Sequence, residues 1–214
     1  MPKLFNEDIA KQIKTILEQL NNPVTLRLFT QSRACPTCAE TRQMLEEVAD
    51  LSDQLTVELK DLEQDSELAK QYGITMTPSF VVLDANKQYH GVKFNGIPAG
   101  HEINSFISAL LETSGLMPKF SPDVLKRIEK VDKPINIKVF VTLSCPHCPG
   151  AVQSAHRLAM LNEKIDGEMI EAQTFNALSN QYKVSGVPKI VINDTQELVG
   201  NQPIEAFLDA IESL

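Results

Sequence analysis

The chain has 214 residues, a formal net charge of −8, 43% hydrophobic and 22% charged residues, and four cysteines. The length suits two domains of about 100 residues each, and the composition excludes a disordered segment, because each unit can bury a core without metals or disulfide staples. The acidic balance, with no basic run to offset it, excludes nucleic acid and anionic lipid as partners.

The N-terminal Met1-Pro2-Lys3-Leu4-Phe5-Asn6-Glu7-Asp8 lacks a secretory signal's apolar run, and no stretch approaches the ~18 apolar residues of a membrane span. No membrane partner is expected, and the cytoplasm is the expected compartment. Cysteines there seldom act as staples, so their role is sought in chemistry or metal binding.

The apolar alternation of Pro23 to Thr30 predicts a strand leading to Cys35-Pro36-Thr37-Cys38. Ala39 to Leu51 has helical spacing, which puts this motif on a helix's first turn. A strand near Leu55 to Leu59 and a short helix precede Thr77-Pro78, after which Ser79 to Leu83 reads as a strand, followed by a short one. Phe106, Ala109 and Leu110 mark the core face of a closing helix. Gly115-Leu116-Met117-Pro118 stops it, and Ser121-Pro122-Asp123 starts the next.

The same order then recurs. A strand over Ile135 to Val141 leads to Cys145-Pro146-His147-Cys148, a helix over Ala151 to Leu161, and a strand over Glu168 to Ala172. Val187-Pro188 precedes the strand Lys189 to Ile192, and Phe207, Ala210 and Ile211 mark the last helix. An offset of 110 lays Cys145 over Cys35, Cys148 over Cys38, Gln181-Tyr182 over Gln71-Tyr72, Pro188 over Pro78 and Asp194 over Asp84 without a gap. This is an internal duplication with units at 1–117 and 118–214. The expected fold class is α/β: two tandem thioredoxin-like domains, each a central mixed β-sheet flanked by α-helices, since a parallel strand pair needs a helical crossover. The copies differ in the loop before the first CxxC, one residue longer, and in Asn86 to Gly100, longer than its counterpart.

A CxxC at a helix N-terminus has a direct chemical use. Free backbone amides and the helix dipole stabilise a thiolate on the leading cysteine, and only the thiolate attacks a disulfide. Cys35 and Cys145 are the expected nucleophiles, and Cys38 and Cys148 the resolving thiols. Pro36 and Pro146 fit a helix start, where a missing N–H costs nothing. The middle residues differ, Thr37 against His147, and a histidine beside a thiolate favours the reduced form, so the second centre is expected to be the stronger oxidant. Pro36, Thr37, Pro146 and His147 are thus the expected tuning residues.

Thr77-Pro78 and Val187-Pro188 each lie 40 residues past the second cysteine of their copy. A cis X-Pro turn beside the redox site explains the recurrence, exposing the backbone of Thr77 or Val187 to pair with an extended substrate segment. Glu58 over Glu168 and Asp61 over Glu171 offer carboxylates of open role, proton acceptors or solvated strand-edge charges. His90, His101 and His156 have no duplicate and read as ordinary histidines.

With two CPxC motifs, two X-Pro sites and the stretches Phe94-Asn95-Gly96-Ile97-Pro98-Ala99-Gly100 and Gly186-Val187-Pro188-Lys189-Ile190-Val191-Ile192-Asn193, the sequence resembles the protein disulfide oxidoreductases, glutaredoxin-like tandem thioredoxin-fold proteins. The resemblance covers nearly the whole chain. It implies two active CxxC pairs, the activities of disulfide reduction, dithiol oxidation and isomerisation, protein thiols and disulfides as substrates, and a thioredoxin-reductase-like flavoprotein as electron donor. It implies no cofactor and no metal. A related tandem pair forms the N-terminal part of the flavoprotein reductase of alkyl hydroperoxide systems, where one CxxC is normally retained; here both are present, and no flavin domain is expected to follow. The CPHC and Gly-Val-Pro of the second half also look like the periplasmic disulfide oxidases, from which only the redox tendency is carried over.

Two competing readings come from other classes. Two CxxC pairs also mark four-cysteine zinc sites, but those pairs are usually separated by roughly 15 to 20 residues, whereas a whole domain intervenes here. A non-catalytic peptide-binding module of chaperone type needs neither cysteine pair.

Overall fold

The computed structural model describes residues 2–214. The first copy runs α1 (Glu7–Leu17), β1 (Val24–Thr30), α2 (Cys38–Ala49), β2 (Leu55–Asp61), α3 (Ser66–Gln71), β3 (Ser79–Leu83), β4 (Tyr89–Asn95), a 3-10 turn (Gly100–Glu102) and α4 (Ile103–Thr113). The second runs α5 (Pro122–Glu129), β5 (Ile135–Val141), α6 (Cys148–Leu161), β6 (Ile165–Glu171), α7 (Asn176–Gln181), β7 (Lys189–Ile192), β8 (Gln196–Val199) and α8 (Ile204–Glu212). Both copies follow the order the periodicity predicts. Among these residues no helix is long and apolar enough to cross a membrane.

Local chemistry explains the helix starts. Asn6 caps α1 by accepting from the Ile9 N–H at 2.9 Å, and Ser121 caps α5 through Val124 N–H at 3.3 Å with Pro122 in the first turn, using donors that a helix cannot satisfy itself. Gly115, at φ +109°, follows the end of α4 in a conformation glycine adopts without a side-chain clash.

In each copy a parallel pair (β1 with β2, β5 with β6) is extended by an antiparallel hairpin (β3 with β4, β7 with β8). The two copies do not remain separate sheets. β4 pairs in parallel with β6, Val92 opposite Gly167 through Asn95 opposite Ile170, giving one eight-stranded sheet in the order β2-β1-β3-β4-β6-β5-β7-β8. The long segment Asn86 to Gly100 supplies this joint. β4 is seven residues long and buried along its second half, whereas its counterpart β8 has four residues and stays at an edge.

Glycines permit the close approach. A Cβ on Gly91 would stand 2.3 Å from the Ile165 carbonyl oxygen, and one on Gly167 would stand 2.6 Å from that of Ala155. α6 therefore lies directly on the joint. Its His156 is fully buried, with its ring 4.7 Å from that of Phe94 and Nε2 3.1 Å from the Lys93 carbonyl oxygen, to which it donates. Burial pushes His156 down to about 4, so the ring is neutral. Arg157 of α6 binds the buried Glu112 of α4 at 2.6 Å. Phe80, Phe94 and Phe106, all fully buried, pack with centroids 4.8 to 5.9 Å apart, tying β3, β4 and α4 together.

Candidate redox site

Each strand before a motif delivers its cysteines to the start of a helix, and each pair forms a disulfide, with Cα atoms 5.4 Å apart for Cys35–Cys38 and 5.5 Å for Cys145–Cys148. The helices begin at the second cysteine, α2 at Cys38 and α6 at Cys148, one turn later than the spacing suggests. The Cys38 N–H reaches back to Cys35 O at 3.4 Å, and Cys145 N–H to Thr142 O at 3.1 Å, so the leading cysteines occupy turns in front of the helix ends. A thiolate there still faces the free amides of the first helical turn.

The two centres differ in access. Cys35 is half-buried and Cys38 is 8% exposed, whereas Cys145 is 8% exposed and Cys148 is sealed. The reason is position: α6 is covered by α4 and β4 of the first copy, while α2 lies towards the outer β2 end of the sheet. Among the tuning candidates Pro36, Pro146 and His147 are exposed, and Thr37 is half-buried with a hydroxyl that has no partner. Pro149, in the first turn of α6, removes one N–H that Ala39 keeps in α2.

Thr77-Pro78 and Val187-Pro188 are the two cis peptide bonds among the described residues. The prolines are buried and Thr77 and Val187 half-buried, and the Val187 carbonyl oxygen lies 3.8 Å from Cys145 Sγ. Main-chain hydrogen bonds begin just beyond, with Gly96 N–H donating to Pro78 O and Gly200 N–H to Pro188 O, both at 2.9 Å.

The duplicated carboxylates serve the framework. Glu58 binds Arg27 and Lys87 at 2.7 and 2.6 Å. Glu168 accepts from Asn95 and Asn136 at 2.8 and 2.9 Å. Asp61 accepts from the N–H groups of Glu63 and Gln64 at 3.0 Å, and Glu171 from those of Gln173 and Thr174 at 3.2 and 2.6 Å, each closing the turn after its strand. His90 binds Asp84 at 2.9 Å, His101 is exposed, and His156 is the core histidine described above.

Another carboxyl stands out. Glu102 is fully buried, one oxygen bonded to the Ser105 hydroxyl and Oε1 without a partner. Burial drives it up to about 7, against the smaller opposing effect of Ser105. Its 3-10 turn packs on α6 and on Leu143, two residues before Cys145: His101 N–H donates to Leu143 O at 2.9 Å, and a Cβ on Gly100 would stand 2.2 Å from that oxygen. Sequence reading missed it, although Glu102 lies four residues before Phe106 and so on the buried stripe of that segment.

Two CxxC disulfides, each in a copy that also carries a cis-proline, on one mixed sheet, define a thioredoxin-fold protein of the disulfide oxidoreductase type. The thioredoxin domain family matches residues 135–213, and a domain of unknown function, DUF7088, matches residues 8–97. A structure of the alkylhydroperoxide reductase component AhpF from Enterococcus faecalis superposes with a TM-score of 0.91 at 31% identity, covering 97% of this chain and 99% of that one. A protein disulfide oxidoreductase from Aeropyrum pernix superposes with a TM-score of 0.89 at 26% identity, covering 97% and 92%. Among curated sequences, the corresponding alkyl hydroperoxide reductase component of Staphylococcus aureus is 28% identical over 98% of this chain, which spans 38% of that relative's length. The chain belongs to the tandem thioredoxin-fold family that these proteins share.

Proposed function

We propose that the protein catalyses thiol-disulfide exchange on protein substrates through both CxxC centres, in units 1–117 and 118–214, covering disulfide reduction, dithiol oxidation and isomerisation. The observation that carries this reading is the recurrence of a closed CxxC disulfide with a cis-proline in both copies. In the reducing direction the Cys35 or Cys145 thiolate attacks a substrate disulfide, forms a mixed disulfide and releases one substrate thiolate. The thiolate of Cys38 or Cys148 then attacks that mixed disulfide, closes the CxxC pair and frees the second substrate sulfur. Two electrons restore the dithiol, and a thioredoxin-reductase-like flavoprotein is the proposed donor.

The backbones of Thr77 and Val187, with Pro78 and Pro188, form the proposed substrate rests. The Thr37 hydroxyl is a donor free to turn towards a Cys35 thiolate. His147, exposed at the N-cap of α6, is the basis for proposing the second centre as the more oxidising. Glu102 is the proposed proton acceptor for the second centre, since a buried carboxyl at about 7 is matched to proton transfer near neutrality.

A second reading has specific support. The likeness to the alkyl hydroperoxide reductase component extends over nearly all of this chain but 38% of that relative, which fits an electron-transfer module passing electrons from a flavoprotein to a peroxide-reducing partner. Redox titration and turnover of the single-centre variants Cys35→Ser and Cys145→Ser test both. The disulfide oxidoreductase reading expects each variant to retain reduction of insulin, with the Cys145–Cys148 pair higher in potential by about 30 mV or more, a tenfold ratio in exchange equilibrium. Equal potentials overturn the ordering of the centres. Turnover confined to one flavoprotein and one peroxidase partner favours the module reading, and holdase activity without redox turnover would leave only a chaperone-type module.

A further inference from the structure

The β4–β6 joint has two unlike faces. Phe94 of β4 points towards α6, against His156, so Lys93 and Asn95, one residue to either side, face the other way. On that side α3 packs through Ala69 over Phe29 and Val81 of the first copy, and α7 through Leu178 over Phe140 and Ile170 of the second. Between them lies a groove of about 350 Å³, with Lys93, Asn95, Asn136 and Glu168 in its lining. Three of these are buried despite being polar: Lys93 is 3% exposed, Asn95 1% and Glu168 7%.

Charges in this groove stand in line without closing on each other. The register puts Lys93 of β4, Glu168 of β6 and Lys138 of β5 in one cross-strand row. Lys138 is committed elsewhere, its Nζ donating to Asn136 Oδ1 at 2.5 Å and to Asp194 at 3.0 Å. Both Glu168 oxygens already accept from the amides of Asn95 and Asn136. Lys93 is left with three N–H donors and two long contacts, Gly73 O at 3.5 Å and Glu168 Oε2 at 3.8 Å. Those distances lie beyond a normal hydrogen bond, and a cation withdrawn from water needs close acceptors. The first copy shows the closed alternative. Glu58, which the offset lays over Glu168, is bound by Arg27 at 2.7 Å and by Lys87 at 2.6 Å.

We infer that this groove binds a small monocarboxylate with a short apolar tail, its carboxylate on Lys93, at a site independent of the exchange function proposed above. The donors decide the sign of the ligand. Besides the Lys93 ammonium, the amides of Asn95 and Asn136 each keep one N–H beyond the one given to Glu168, and the Thr75 hydroxyl also lines the groove. A carboxylate accepts from such a set, whereas Asp166 and Glu168 in the same lining repel the second charge of a phosphate. Met76, Ile170 and Leu178 supply apolar wall for the tail, and the volume is at the small end of ligand pockets, ~300 to 1,000 Å³. The site is tied to the first copy's X-Pro turn from both ends: Thr75 and Met76 run into Thr77-Pro78, and the Ser79 hydroxyl donates to Asn95 Oδ1 at 2.7 Å.

The experiment titrates the full, nitrogen-15-labelled chain with three probes: butyrate, butylamine and inorganic phosphate. Butyrate shifts the side-chain amide signals of Asn95 and Asn136 to saturation, while butylamine, the same tail on a cation, and phosphate leave them in place over the same concentrations. Lys93→Met, which keeps the length and removes the ammonium, raises the butyrate dissociation constant about tenfold or more, the scale of a lost charged hydrogen bond. Lys126→Met, at an exposed position on α5 outside the groove, leaves it unchanged. An absent or unsaturable butyrate response in the native chain overturns the inference, as does an unaltered constant in Lys93→Met. An equal response to butylamine, or tighter binding of phosphate, overturns the carboxylate assignment. Should Lys93→Met fail to fold, the three probes on the native chain decide the matter alone. Every readout is binding, so none of these outcomes bears on disulfide turnover.

Discussion

Glu102 and the cysteines show how much a single buried group alters the chemistry around it. The carboxyl is fully buried without a charged partner in a turn that packs on α6, and its pKa of about 7 reflects the cost of ionising it out of water. Its folded value exceeds the ordinary one of 4.5, so its contribution to stability is full below pH 4.5 and is lost as the pH rises through 7. Replacing it by glutamine should flatten that decline, worth about 3 kcal/mol by the usual conversion of a pKa shift, as urea unfolding between pH 5 and 8 would show. The same substitution should remove the inflection near 7 in the exchange rate of the second centre in Cys35→Ser, leaving the first centre's profile in Cys145→Ser unaltered. An unchanged profile at the second centre would reduce Glu102 to a packing residue. His147, proposed to favour the reduced form, and Pro149, which removes an amide donor, both stand at the start of α6, and the redox titration reports their sum.

At the scale of elements, α6 matters most. It carries the second disulfide at its N-terminus, lies against the β4–β6 joint and is clamped to α4 by Arg157 and Glu112. The joint depends on missing side chains. Gly91 has φ +74°, and a methyl group there would press on the Ile165 carbonyl at 2.3 Å and on Ala159 at 2.8 Å, with backbone on one side and no room to yield. Gly91→Ala should therefore cost roughly 3 kcal/mol or more, read as a lower urea midpoint. A loss below about 0.5 kcal/mol would mean that the joint relaxes freely. The strands, helices and X-Pro turns were legible because periodicity and caps are local: Ser121-Pro122 at α5 and the apolar run of β3 act within a few residues. β4 was underestimated because Lys93 and Asn95 look like a solvent-facing row, whereas they are buried at 3% and 1% exposure by pairing with the second copy.

For the whole molecule the joined sheet is the governing feature. Its ends are β2 and β8, and the edges that separate copies would expose, β4 and β6, are hidden against each other. Calorimetry of the full chain should show one cooperative transition. Cut between 117 and 118, the proposed units should associate through that edge when mixed, restoring the transition. Two well-separated transitions in the intact chain would show that the joint adds little. The same joining sets the 3-10 turn that carries Glu102 against α6 and Leu143 of the second copy, and Glu40 and Leu143, each two residues from a cysteine of its own copy, line one cleft.

The amino-acid sequence by itself determined the duplication, the order of elements, the two CxxC pairs and the two X-Pro turns, because each rests on spacing and local backbone chemistry that a chain carries in any context. Only the tertiary structure decided that the copies share a sheet, that one centre is more covered than the other, and that a carboxyl of one copy is buried in a turn packed on the other's α6. Those features depend on which surfaces meet across about 100 residues of chain, where burial, and with it the ionisation of a group, is set by neighbours distant in sequence.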